Sequence, residues 1–287
     1  MTDAFIFLTR SPETAPRILK KFHKAARDAK QDFDFHICSF VEGSEQKHSK
    51  VEVNGELVDY WVFGKNDAVS LGYSPKMEPD NWVFIPGNVD VLTLSFFKYN
   101  KEYSRYWQVE DDVDYSGDAK DLLDSLAEHD DDLLCTHLQR GWQNWTYSHW
   151  LKTGDLGREL RPEETMLGFL PFLRASRRGL STLDKAYIAG WAGHPEQTWP
   201  TILMEAGLEV RDIGGSGEFV DADSINRYYF GTTPASQNKT GSFTPTPPRL
   251  FVGRRPNMLW HPVKPFGQWF KGWMKRLKSL ISYYWSR

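Results

Sequence analysis

The chain has 287 residues, 40% hydrophobic and 25% charged, which is enough apolar mass for a sizeable core and too little bias for a disordered tail or a fibrous repeat. Two cysteines, Cys38 and Cys135, exclude a disulfide framework and read as reduced core residues. The net charge of −3 conceals a split. No Asp or Glu follows Asp223, and residues 224–287 hold 11 of the 35 Lys and Arg, so the remaining 24 face all 38 acids in the body. The body is thus about −14 and the tail +11, an asymmetry that points to an interaction surface.

The opening MTDAFIFLTR lacks a basic n-region and a long apolar stretch, so it reads as a first strand (FIFLTR, 5–10) rather than a signal peptide, and a cytoplasmic location is expected. No run reaches the roughly 18 apolar residues of a membrane span. Pro12 sits where a helix begins, and a basic helix over 12–30 would turn Ile18, Leu19 and Phe22 toward the core. DFHICSF (34–40) is a second strand, and strand, helix, strand at this spacing predicts a βαβ unit in a parallel sheet. VEVNGELVDYWVF suggests a hairpin through Asn54-Gly55.

A turn at Pro86-Gly87-Asn88 precedes another regular element. RYWQV (105–109) reads as a central strand, followed by a helix from about Ala119 to His129 and a strand over 132–138. The aromatic section with Trp142, Trp145, Tyr147 and Trp150 reads as loop and ligand surface. Residues 162–190 are predicted to be helical, a second helix runs from Pro195 to about Ala206, and LEVRDIGG (208–215) is a further strand. A Thr-, Pro-, Ser- and Gly-rich loop or linker follows over 231–249.

The central strand ends in Glu110, Asp111, Asp112 and Asp114. Carboxylates this close repel, so either solvent or a cation must offset them. Acids spaced i, i+2 on extended chain can face one side, which allows Glu110 with Asp112 or Asp112 with Asp114. Asp112 belongs to both pairs. Mg²⁺ or Mn²⁺ takes one or two such carboxylates plus phosphate oxygens, and ligands of parallel sheets bind at strand C-terminal ends. A solvated acidic loop is the plain alternative.

YWQVEDDVDYSGD, then GHPEQTWPTILMEAGLEVRDIGG, then LWHPVK, taken in this order, resemble glycosyltransferases of the GT-A fold, over about residues 5 to 264. The resemblance implies an α/β domain over 1–264 with a mostly parallel central sheet flanked by helices, and a nucleotide-sugar donor bound with Mn²⁺ or Mg²⁺. Glu110 stands where most such enzymes carry Asp. The resemblance further implies that Glu110, Asp112 and possibly Asp114 hold the cation, with His261 of LWHPVK as a later ligand. Glu196 would be the base for an inverting transfer and His194 its neighbour at the acceptor, although an acid at that position also suits a helix dipole. Thr9, Arg10, Asn88, Asp90 and Asp111 would meet the nucleotide. Arg174, Arg177 and Arg178 form a basic cluster suited to an anionic acceptor or to a solvated helix face.

Residues 265–287 form a separate unit. Phe266, Trp269, Phe270, Trp273, Leu277, Leu280, Ile281 and Tyr284 fall on one stripe of a 3.6-residue period, with Lys271, Lys275, Arg276 and Lys278 off it. This is the pattern of an interfacial helix, peripheral on the inner face of a membrane, or of a helix docked on the acidic body. Nucleic acid is a poorer partner, because the acidic body repels phosphate. The function expected is therefore sugar transfer to a glycan or lipid-linked acceptor in cell-surface polysaccharide synthesis. A metal-dependent nucleotidyltransferase and a non-catalytic, membrane-bound cation module are the alternatives.

Overall fold

The computed structural model describes residues 2–74, 76–77, 87–141, 147, 150–231 and 240–274. Trp142, Trp145, Pro86 and the tail from 275 onward lie outside the described residues. Strand β1 (Asp3–Leu8) alternates Ala4, Ile6 and Leu8 on one face with Phe5 and Phe7 on the other, all buried. A strand buried on both sides must carry helices on both sides. Helix α1 (Pro16–Asp28) has proline in its first turn and buries Ile18, Leu19, Phe22, Ala25 and Ala26. It leads into β2 (Phe33–Phe40), parallel to β1, which closes the expected βαβ unit.

Strands β3 (Lys47–Val53) and β4 (Glu56–Phe63) form the expected hairpin. Asn54 and Gly55 both take positive φ, 54° and 82°, as a two-residue turn matched to strand twist requires. Helices α2 (Lys65–Val69) and α3 (Asp90–Tyr99) follow, then β5 (Arg105–Glu110), which pairs parallel to β1 with Glu110 opposite Leu8. After it come β6 (Asp114–Tyr115), α4 (Ala119–Ala127) and β7 (Leu133–Arg140). The eight-stranded sheet runs β11 (Val210–Asp212)-β7-β9 (Met166–Ser176)-β5-β1-β2-β4-β3, mixed but mostly parallel.

The region 162–190 corrects the helical expectation. A single 3₁₀ turn at Pro162–Glu164 gives way to β9 (Met166–Ser176), an 11-residue strand antiparallel to both β5 and β7, and only then to α5 (Arg177–Ile188). MLGFLPFLRA is buried throughout, so it has no polar face to reveal a period of two. Pro171 fits a central strand because it lies past the last pair with β5, Val109 with Phe172. It also falls within the register shift against β7, so its missing N–H breaks no ladder bond there.

Short strands β8 (Lys152–Thr153) and β10 (Trp191–Ala192) pair with each other ahead of α6 (Pro195–Glu205), and β11 (Val210–Asp212) closes one edge of the sheet. The chain then returns, and β12 (Leu259–Trp260) pairs antiparallel with β6, Trp260 opposite Asp114. A described helical stretch, 266–274, follows. Helices α1 and α4 cover the face of Phe5, Phe7, Trp107 and Val109. Helices α2, α3, α5 and α6 cover that of Ala4, Ile6 and Tyr106. Among the described residues no helix is long and apolar enough to cross a membrane.

Candidate metal centre

The parallel register of β1 and β5 places their C-terminal ends side by side, so Thr9 meets Asp111 just beyond the sheet. Thr9 Oγ1 donates to Asp111 Oδ2 at 2.7 Å, a bond that partly offsets the burial that raises the Asp111 carboxyl. A tight turn, Val113 N–H to the Glu110 carbonyl at 3.0 Å, then brings Glu110 and Asp112 together. The pairing of β12 with β6 delivers His261 from the far end of the chain, and Val263 N–H donates to the Asp112 carbonyl at 2.7 Å. Glu110, Asp112 and His261 each offer a ligand atom, all within 4.8 Å of one another.

The electrostatics fit a cation. His261 Nδ1 donates to the Thr244 carbonyl at 2.8 Å, which in the neutral ring leaves Nε2 with its lone pair, 3.3 Å from Asp112 Oδ1. Asp112 Oδ1 is buried and accepts no hydrogen bond, whereas Oδ2 is held by Lys264. Burial and the neighbouring Asp112 push the Glu110 carboxyl up to about 7. Burial would raise Asp112 too, but His261 and Lys264 outweigh it and hold that carboxyl well below the usual range. Burial disfavours the His261 imidazolium, yet Asp112 and Glu110 raise it above the ordinary value. Two carboxylates and an imidazole suit Mn²⁺ or Mg²⁺, and Asp112 Oδ1 accepts no hydrogen bond and has only the His261 ring, at 3.3 Å, as a partner. The residues present therefore fit a divalent cation.

His261 is set by more than its own strand. The His137 imidazole donates from Nε2 to the Phe243 carbonyl at 2.6 Å, next to Thr244, and burial keeps that ring neutral by lowering it to about 4. His137 N–H in turn donates to Tyr229 Oη, whose hydroxyl donates to buried Asp212.

Two cavities meet at Glu110. The larger, about 570 Å³, is lined by Thr9, Arg10, Glu42, Asp111, Asp112, Lys264 and Gln268 among others. The smaller, about 200 Å³, has walls of Phe169, Leu170, Pro171 and Trp199, with Glu110 and His261 on one side and His194 and Glu196 on the other. Gly193 enables this second arrangement. At φ 142° it passes 3.2 Å from Leu151 Cα, measured from where a Cβ would stand, and feeds directly into His194. His194 caps α6, its Nδ1 accepting Glu196 N–H at 3.3 Å, and burial together with Lys76 lowers the ring to about 3.

Other expected site residues stand elsewhere. Asp114 has no part in the ligand group: Arg17 and Lys21 each hold it at 2.6 Å on the α1 side. Asp90 lies under the smaller cavity, not the larger, where Tyr187 and Trp199 donate to Oδ2 and Lys76 pairs with Oδ1 at 3.3 Å. Its role there is to hold the framework. Asn88 precedes α3 and is not among the described residues lining either cavity. The arginine cluster is structural: buried Arg174 caps the carbonyls of Leu126, His129 and Asp131, Arg177 binds those of Glu102 and Tyr103, and Arg178 pairs with Asp132.

Sequence reading assigned no role to Lys264, Gln108 or His137. Lys264 was signalled by its place three residues after His261, and Gln108, which lines the smaller cavity while bonded to Thr93 and the Leu170 carbonyl, by sharing a strand face with Glu110. Nothing local marks His137. Comparison with known protein families gives no match, and neither does comparison with curated proteins.

Proposed function

We propose that the chain is a GT-A-type glycosyltransferase that moves a sugar from a nucleoside diphosphate donor to a hydroxyl acceptor with inversion. The observation that carries this reading is the Glu110, Asp112 and His261 ligand group, with one carboxylate oxygen that accepts no hydrogen bond, at the junction of two cavities beyond β5. The larger cavity has room for a nucleotide and offers Arg10 and Lys264 to its phosphates. The smaller would hold the acceptor, with Glu196 beside it. When bound, a divalent cation supplies positive charge to the departing diphosphate. Glu196 takes the acceptor proton as the new carbon–oxygen bond forms and the bond to the diphosphate breaks on the opposite face of the sugar. His194, kept neutral, anchors the first turn of α6 and so aims Glu196.

A thermal-shift titration with nucleoside diphosphates, with and without Mn²⁺, tests the reading. A nucleotide at a hundred times its dissociation constant stabilises the fold by about 2.7 kcal/mol, and that shift is expected only when Mn²⁺ is present. Glu196→Gln is expected to keep the shift and lose turnover by about 10²- to 10⁴-fold. Absence of any Mn²⁺-dependent shift across the nucleotides would reject the proposal.

A further inference from the structure

We propose that the helical stretch 266–274, with the basic loop that begins beside it after Pro248, forms a docking surface for an anionic lipid bilayer, which holds the mouth of the larger cavity at the membrane. The inference stands on observations separate from the cation site, and its test needs no turnover.

Phe266, Phe270 and Trp273 recur at i, i+4 and i+7, so they share one helix face, and they are 64%, 45% and 48% exposed. Their rings form a continuous ladder, with centroids 6.0 Å and 6.5 Å apart in succession. The other side of the helix meets the protein. A Cβ added at Gly272 would stand 3.1 Å from Pro248, and Gln268 lines the larger cavity together with Lys264. A helix docked through its aromatic stripe on the acidic body would bury these rings, so the exposed ladder argues against self-docking.

Charge identifies the occupant. Lys271 is exposed on this helix, and Arg254 and Arg255 are exposed in the loop that bears Phe251, itself 74% exposed. The sequence supplies no Asp or Glu anywhere beyond Asp223 to repel an anionic surface. Aromatic rings flanked by cations match the headgroup level of a bilayer, where rings enter the acyl boundary and each nearby basic residue adds about fivefold to binding on anionic lipid. Because Gln268 lies on the opposite side of the same helix and Lys264 just before it, a bilayer seated on the rings stands one helix diameter, roughly 10 Å, from the cavity mouth.

Flotation of the full-length chain with vesicles tests this directly. Vesicles of phosphatidylcholine mixed with phosphatidylglycerol are expected to retain the protein at least about tenfold better than phosphatidylcholine alone. The double variant Phe270→Glu, Trp273→Glu is expected to lose about tenfold or more of that binding, with an unchanged thermal melt because both rings are exposed. Arg254→Glu with Lys271→Glu provides a second route, lowering binding to the mixed vesicles without touching the rings. No vesicle binding, equal binding to both lipids, or indifference to both double variants would overturn the proposal. A dimer in light scattering that the ring variant dissolves, without lipid binding, would assign the face to a second copy and likewise overturn it.

Discussion

Asp112 and Asp114 stand two residues apart, both buried, and the protein treats them in opposite ways. On the α1 side, Asp114 accepts from Arg17, Lys21 and the Tyr115 N–H, so each oxygen is occupied. On the cavity side, Asp112 has one oxygen held by Lys264 and the other facing the His261 ring at 3.3 Å without a hydrogen bond. The neighbouring pair of sites therefore shows how one acidic run divides its work. Asp114 clamps the loop to α1, whereas Asp112 faces the cavity with Lys264 and His261 as its partners.

The largest effect expected from breaking this contrast is on the cavity side. Asp112→Asn is expected to abolish Mn²⁺-dependent shifts, to lower transfer by about 10³-fold and to lower the melting temperature, because Lys264 and His261 lose the carboxylate they pair with, as measured by product assay and thermal melt. Asp114→Asn is expected to cost stability alone. It leaves two cations facing a neutral group and costs about 2–3 kcal/mol in denaturant unfolding, less than a sealed pair because Arg17 is 60% exposed and can turn to water. Its Mn²⁺ response is expected to survive.

The contrast sharpens with pH. With Glu110 raised to about 7 and His261 raised as well, cation binding must displace protons from both. Apparent Mn²⁺ affinity is therefore expected to fall as pH drops below about 7, by about tenfold per unit for each proton displaced. Glu110→Gln should lower affinity overall and make that slope shallower, as read by calorimetry across pH. The smallest effect is expected from His137→Phe, which keeps the ring volume but removes the donor to the Phe243 carbonyl. Mn²⁺ affinity should drop about tenfold while the nucleotide cavity is unaltered.

Much of the sheet was legible because its helices carry one-sided patterns and its hairpin carries Asn54-Gly55. Strand β9 was not. Buried on both faces, it shows neither a period of two nor one of 3.6, and its Pro171 points away from a central strand. That misreading also put Arg174 on a helix, facing either an anionic acceptor or solvent, when it is the cap that satisfies carbonyls at and beyond the end of α4. Around the site, Glu110, Asp112 and His261 could be picked out by spacing and by motif order. The separation of Asp112 from Asp114 could not, since it depends on a backbone turn and on which helix passes behind. His137 was invisible for a related reason: it acts through backbone carbonyls at 243 and 244, which carry no sequence signature.

The β6–β12 pairing has a consequence for when the protein can work. Glu110 and Asp112 leave the ribosome well before His261, which reaches them only through the β6–β12 pairing. Closing so long a loop comes late in folding, after the local βαβ contacts have formed. A chain halted anywhere before residue 261 can already own its sheet edge and its acidic turn, yet it lacks the imidazole that completes the ligand group. The three-residue group thus assembles only once residue 261 has been made and seated beside the acidic turn, and a product interrupted before that point carries at most an unfinished cluster.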